Sequence, residues 1–256
     1  MKKSIVLFTA HCGDAEAGAG GTIARYVAEG YRVTVVVMTT SVARPVIGRE
    51  KENLSPVKIC TLREQEAMSA AALLGHQVEF MRINERFYPH NGKLEHLDYT
   101  ETGPTAQLPG KGWLGVVHWP VIRQAVKDII LREEPEIIFA HSAGETCYEK
   151  WAVQRAVVPA VSSLIAEGYR VGKLLALPPL PGQQSHVMSI YKMQKIDGYQ
   201  DRKYEALKLH ASSFSESAIE QIKSRDMLRA GPDWEEGSGT RGYAEAFMSL
   251  WSHAPL

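Results

Sequence analysis

The sequence predicts an α/β domain of Rossmann-like type, with a mostly parallel sheet and helices on both faces. Three observations carry this prediction. The first 40 residues read strand, turn, helix, strand. Apolar runs of strand length recur at residues 78–83, 136–140 and 173–177. Helix patterns stand between them at 62–74, 120–133 and 151–167. Such alternation builds parallel sheets, because each parallel crossover needs a helix.

Residues 5–10 form a continuous apolar run and read as a buried strand. The run ends at His11-Cys12-Gly13-Asp14, with Gly18, Gly20 and Gly21 following. Residues 22–29 carry a helix pattern that Gly30 stops, and the Val-rich residues 32–38 are a second strand. Polar residues just past the first strand occupy the place where open parallel sheets bind ligands. A His and an Asp three apart there suggest a metal or catalytic pair. The plainer reading is a strand-to-helix turn that needs glycine.

Residues 44–58 read as loop, and Thr61 with Glu64 suggests a capping box for the helix ending at Gly75. Asn84-Glu85-Arg86 follows the strand at 78–83. Residues 89–115 form a stretch too long for an ordinary connection and read as a candidate lid, with His90 and His96 as exposed loop residues. The strand at 136–140 delivers His141. Further strands are expected at 173–177 and 187–193, and a late helix at 201–214.

The 256 residues suggest a single domain spanning 1–256. Hydrophobic content is 45% and charged content 23%, ordinary for a globular protein. Lys+Arg and Asp+Glu both number 29, and no basic stripe argues for nucleic acid. No segment reaches the roughly 18 apolar residues of a membrane span. Cys12, Cys60 and Cys147 are odd in number and sparse, which fits a reducing compartment and a cytoplasmic location. The expected partner is a small-molecule substrate, and a homo-oligomer is compatible with the chain.

The segment AHCGDAEAGAGGTIA resembles the signature of the LmbE/PIG-L superfamily of zinc-dependent de-N-acetylases, which reads A-H-P-D-D-E, two residues, then G-x-G-G-T. His11, Asp14, Gly18, Gly20, Gly21 and Thr22 match without a gap. The resemblance implies an LmbE-like fold, with His11 and Asp14 as metal ligands and Gly20 and Gly21 beside substrate. Cys12 replaces the Pro, Ala15 the Glu, and Gly13 the Asp that serves relatives as general base. REQEAMSAAALLG resembles the second segment, and Arg63 is a candidate anion partner there. Glu85 falls on the substrate-contacting Asp of a Pro-Asp-Gly. AHSAGETCYEKWAVQRAV resembles the second metal segment, H-x-x-x-D-x-H-P-D-H-R-A-V. His141 matches its leading His and is a substrate-binding candidate. Glu145 and Glu149 match its Asp residues, Cys147 its next His, and Lys150 the third metal ligand. DRKYEALKLHASSF resembles the late helix, with Ser213-Phe214 at its Ser-Gln ending, and RGYAEAF resembles the closing segment.

A hydrolytic zinc site needs about three protein ligands and one open position. A Lys ammonium has no lone pair to offer. Several outcomes are open. Lys150 stands in for the metal and pairs with Asp14, with His11 as a third member. Cys147 takes over as a soft ligand. Cys147 is a nucleophile activated by Lys150 and a helix N-terminus. Or Cys147 is a small pocket residue. Cys147, Glu149 and Lys150 are therefore the catalytic candidates, and zinc is the implied cofactor with its third ligand altered.

Three functions remain. The first is a hydrolase of the LmbE/PIG-L N-acyl type. The second is a hydratase or lyase acting on an unsaturated carboxylate; HCGD resembles the branch of 4-oxalomesaconate hydratase, which also lacks the first Asp. The third is a catalytically silent binding protein.

Overall fold

The computed structural model describes residues 3–85, 87–90, 93–96, 119–177, 191–230 and 242–252. β1 (Ser4–Thr9), α1 (Asp14–Ala28), β2 (Arg32–Thr39), α2 (Pro56–Leu74) and β3 (Gln77–Ile83) come first. β4 (Phe87–His90) and β5 (Lys93–His96) pair as an antiparallel hairpin. There follow α3 (Trp119–Glu133), β6 (Ile137–His141), α4 (Tyr148–Ala166) and β7 (Lys173–Leu177). β8 (Tyr191–Lys195), α5 (Gln200–Leu209), α6 (Glu216–Ala230) and β9 (Ala244–Ser252) complete the chain.

The main sheet has seven strands in the order β3-β2-β1-β6-β7-β9-β8. β3, β2, β1, β6 and β7 are parallel, whereas β9 runs antiparallel to β7 and to β8. The expected mixed α/β, mostly parallel architecture is present. Successive β1 side chains point to opposite faces. Val6 and Phe8 pack with residues of α3 and α4, and Ile5 and Leu7 with residues of α1, α2 and α5. With both faces covered, β1 has no polar side to alternate, which explains its continuous apolar run. The chain leaves β1 toward β2 and β3, then returns to β6 on the other side. The crevice between the ends of β1 and β6 is therefore the switch point of the sheet.

Several boundaries differ from expectation. α1 begins at Asp14 rather than 22, so the glycines lie inside it. It breaks at Ala19 (φ −145°, ψ 17°) and restarts. Glu245 caps the restarted segment, accepting from the Gly21 N–H at 3.0 Å and the Thr22 N–H at 2.8 Å. A Cβ at Gly20 would lie 2.9 Å from Lys203 Cγ, and one at Gly21 2.7 Å from the Ile196 side chain. These two glycines let the helix approach its neighbours. The structure thus corrects the expectation that Gly20 and Gly21 touch substrate: their space is filled by Lys203 and Ile196.

α2 begins at Pro56 with Ser55 as its N-cap, whose Oγ accepts from the Lys58 N–H at 3.4 Å. Pro at the first helical position sets the start earlier than the Thr61–Glu64 box suggested. α5 stops at Leu209, so 210–214 is a turn and α6 is a separate helix. Of the candidate lid, residues 91–92 and 97–115 lie outside the described residues, as do 187–190 of the expected strand and Arg241 of the closing segment. The side chains of His90 and His96 also lie outside them. No helix among the described residues is long and apolar enough to cross a membrane.

Behind α1, Lys203 Nζ donates to Asp226 at 2.7 Å and to Glu245 at 2.6 Å, and all three side chains are fully buried. Lys203→Met would leave two carboxylates in the interior with less positive charge to match them. Urea denaturation should show a loss of about 3–5 kcal/mol. A loss below about 1 kcal/mol would mean that the triad does not anchor α1 to α5 and β9.

Candidate functional site

A cavity of about 860 Å³ opens at the carboxyl ends of β1 and β6. Its wall includes His11, Asp14, Glu85, Cys147, Glu149 and Lys150. Asp14 is the first residue of α1 and Lys150 lies in the first turn of α4, so two helix N-termini deliver the central pair. Lys150 Nζ stands 3.1 Å from Asp14 Oδ1. His11 Nδ1 is 3.2 Å from Asp14 Oδ2, and its Nε2 is 3.1 Å from Glu85 Oε1. The four side chains form a row of alternating charge: Lys150, Asp14, His11, Glu85. The Asp14–Lys150 salt bridge with His11 as a third member, expected from sequence, is present.

Other donors fix the row. Asp14 Oδ2 accepts from the His11 N–H at 2.9 Å. Glu85 accepts from Thr39 Oγ1 at 2.8 Å and from the Ala43 N–H. Burial disfavours charge on every member, and the neighbours outweigh it. Lys150 and then His11 hold Asp14 well below the usual carboxylate range. Asp14 and Glu85 hold His11 well above the usual histidine value. Asp14, aided by Glu145, raises Lys150. The hydrogen bond and charge of His11 lower Glu85.

His141 is 2% exposed and does not line the cavity. Its Nε2 accepts from the Ala10 N–H at 3.0 Å and lies 3.4 Å from Asp14 Oδ2, and its Nδ1 is 3.6 Å from Glu145. The ring therefore positions the end of β1 against β6, which corrects its assignment to substrate. Glu145 is buried beside His141 and off the cavity wall, whereas Glu149 is on it.

Arg63 lines the cavity, but its guanidinium donates to the carbonyls of Ser41, Arg44 and Pro45 and to Ser212 Oγ. It braces the 41–45 wall and has little left for a ligand, a correction to its reading as an anion partner. Arg44 was missed by the sequence reading. It is exposed on the cavity wall, and its guanidinium makes no hydrogen bond among the described residues.

Gly13, at the position of the family's base, has φ +90°, and a Cβ there would lie 2.6 Å from Phe214 Cε2. The Phe214 ring fills the space a side chain at 13 would need. The paired departures Gly13 and Phe214 were the signal for this in the sequence.

Cys147 stands at the N-cap position of α4 without a side-chain capping bond, and its Sγ–H donates to Glu149 Oε2 at 3.3 Å. Burial raises the Cys147 thiol, and His11 only partly counters it. His11, Cys147 and Glu149 offer ligand atoms within 4.8 Å of one another. The zinc position implied by the family does not fit this chain. Its third ligand is an ammonium already bonded to the second, and a dication there would face Lys150 directly.

The sequence pattern described as PIG-L: GlcNAc-PI de-N-acetylase matches residues 6–160. Over 264 aligned residues the chain is 26% identical to the 4-oxalmesaconate hydratase of Pseudomonas putida, covering 98% of this chain and 90% of that protein. The fold is similar to GalB, the 4-carboxy-2-hydroxymuconate hydratase of Pseudomonas putida KT2440, at TM-score 0.74 and 23% identity, covering 99% of this chain and 98% of the other. It is also similar to the A40926 pseudoaglycone deacetylase Dbv21, at TM-score 0.69 and 18% identity over the whole of both chains.

Two measurements probe this site. In a double-mutant cycle, Asp14→Asn and Lys150→Met should each cost on the order of 3 kcal/mol, and the double variant clearly less than their sum. Additive costs would show that the two side chains do not interact. Gly13→Ala should lose at least about 1–2 kcal/mol, from left-handed strain alone; an unchanged midpoint would mean that Phe214 moves aside freely.

Proposed function

The chain belongs to the PIG-L family, and within it we propose an enzyme that adds water to, or removes it from, a small carboxylate-bearing molecule by acid–base chemistry. The observation that carries this reading is His11, held between two carboxylates on the floor of the cavity. Its side chain is 19% exposed, against 6% or less for Asp14, Lys150 and Glu85. His11 is therefore the member of the row that meets a ligand, and it arrives protonated.

Zinc-dependent amide hydrolysis finds less support. It needs a third ligand where Lys150 stands and a base where Phe214 fills the space above Gly13. Water addition across a carbon–carbon double bond needs one proton donor, one acceptor and a hold on the substrate. His11 gives its proton to one carbon while hydroxyl bonds the other. Glu149 takes the proton lost by water. The two groups approach within 4.8 Å, so one bridging water returns the proton and resets the site. Arg44 on the cavity wall pairs with a substrate carboxylate. The Pseudomonas putida relative that covers 98% of this chain is named a hydratase, which supports the same reaction class.

The test follows loss of conjugated absorbance from unsaturated keto dicarboxylates alongside acetate release from N-acetylated sugars, both with chelator-treated protein. Hydration without acetate release is expected, with kcat falling about 10²–10⁴-fold in His11→Gln. Acetate release that depends on added zinc, without hydration, would overturn the proposal.

The pH profile gives a second check. An ordinary histidine loses its proton near pH 6.5. Asp14 and Glu85 raise His11 well above that value, so the acid form persists past neutrality. The alkaline limb of kcat should therefore lie above about pH 6.5 and move down in Glu85→Gln. A limb at or below the ordinary value would contradict the role given to His11.

A further inference from the structure

Beside His11 the cavity holds two further donor side chains, Cys147 and Glu149, that the charged row does not use. Cys147 Sγ and Glu149 Oε2 are 3.3 Å apart, and with one His11 ring nitrogen they lie within 4.8 Å. All three line the cavity and all are half-buried. We propose that His11, Cys147 and Glu149 bind a zinc-class divalent ion, displaced from the family position to the cavity side of the Asp14–Lys150 pair.

The chemistry of the set suits such an ion. Imidazole, thiolate and carboxylate are all zinc ligands, and three of them leave a fourth position open to the cavity. Ionised Cys147 and Glu149 carry two negative charges, which match the dication. Lys150 already has Asp14 as its counter-charge, so the new site does not draw on that carboxylate. Each His11 nitrogen faces a carboxylate, Asp14 at Nδ1 and Glu85 at Nε2. Whichever nitrogen turns to the metal, the other keeps the outer partner that fixes ring and tautomer. Asp14 thereby changes from ligand to orienting group.

Binding displaces one proton from His11 and one from the Cys147 thiol. A metal-bound His11 has no proton to give, so on the reading above the ion inhibits rather than activates. That consequence rests on the proposed function; the site itself does not.

Cobalt(II), titrated into chelator-stripped full-length protein, is the probe. One equivalent should bind with a thiolate-to-cobalt charge-transfer band. The band should vanish in Cys147→Ser and persist in Cys12→Ser and Cys60→Ser. Glu149→Gln should weaken affinity at least about 10-fold. No band, or a band that survives Cys147→Ser, would overturn the site. Zinc should lower hydration turnover at least about 10-fold in the wild type. If the band behaves as expected but zinc raises turnover, the site stands and the metal-free role of His11 falls.

Discussion

The floor of the cavity depends on one buried row of charge, Lys150–Asp14–His11–Glu85. None of these groups could stay ionised in the interior alone, because an isolated buried charge is expensive. Each is ionised because its neighbours are, so the row holds only as a unit. Its members come from four places: the end of β1, the start of α1, the loop after β3 and the first turn of α4. Satisfying the row fixes how these elements meet at the switch point of the sheet. The same logic recurs behind α1, where Lys203 joins Asp226 and Glu245. One buried cation orients the site, and the other anchors the helix that carries Asp14.

The departures from the family pattern are physically linked. A site that had merely lost its metal ligand would leave Asp14 as an unmatched carboxylate. Lys150 instead reaches it at 3.1 Å, nearly fully buried. A site that had merely lost its base would leave a void above Gly13, and Phe214 occupies that space. A cation has replaced a cation, and a ring has replaced a side chain.

Much of this was legible in the sequence, for identifiable reasons. Strands buried on both faces read as apolar runs, and β7 was delimited residue for residue. The Asp14–Lys150 pair followed from the motif, since a carboxylate left by a metal needs a cation. The glycines misled, because a glycine in a motif signals close approach without saying to what: Lys203 and Ile196, distant in sequence, are the answer. Arg63 and His141 misled for a related reason. Their types suit ligand binding, and only the fold reveals that Ser41, Arg44 and Pro45 carbonyls or the Ala10 N–H already engage them. The contact of Glu85 with His11 joins two loops far apart in the chain and left no periodic trace. α6 is mostly polar, and although Ser215 caps it by accepting from the Ala218 N–H at 3.2 Å, its apolar pattern did not stand out.

Replacing a dication by an ammonium changes what the cavity can do to a substrate. A bound dication draws electron density from a carbonyl and lowers the pKa of its water. An ammonium already paired with a carboxylate projects little net field into the cavity. Within the row the charges cancel, leaving a neutral floor whose reactive property is the mobile proton on His11. Two flanking carboxylates favour that proton, which is what the proposed acid role of His11 draws on. On the proposed reading, attraction for an anionic substrate comes from outside the row, from Arg44 on the wall. Proton delivery at the floor and charge recognition at the wall are thus separated. That division suits the hydration of an unsaturated carboxylate, where the group held and the carbon protonated are different parts of one molecule.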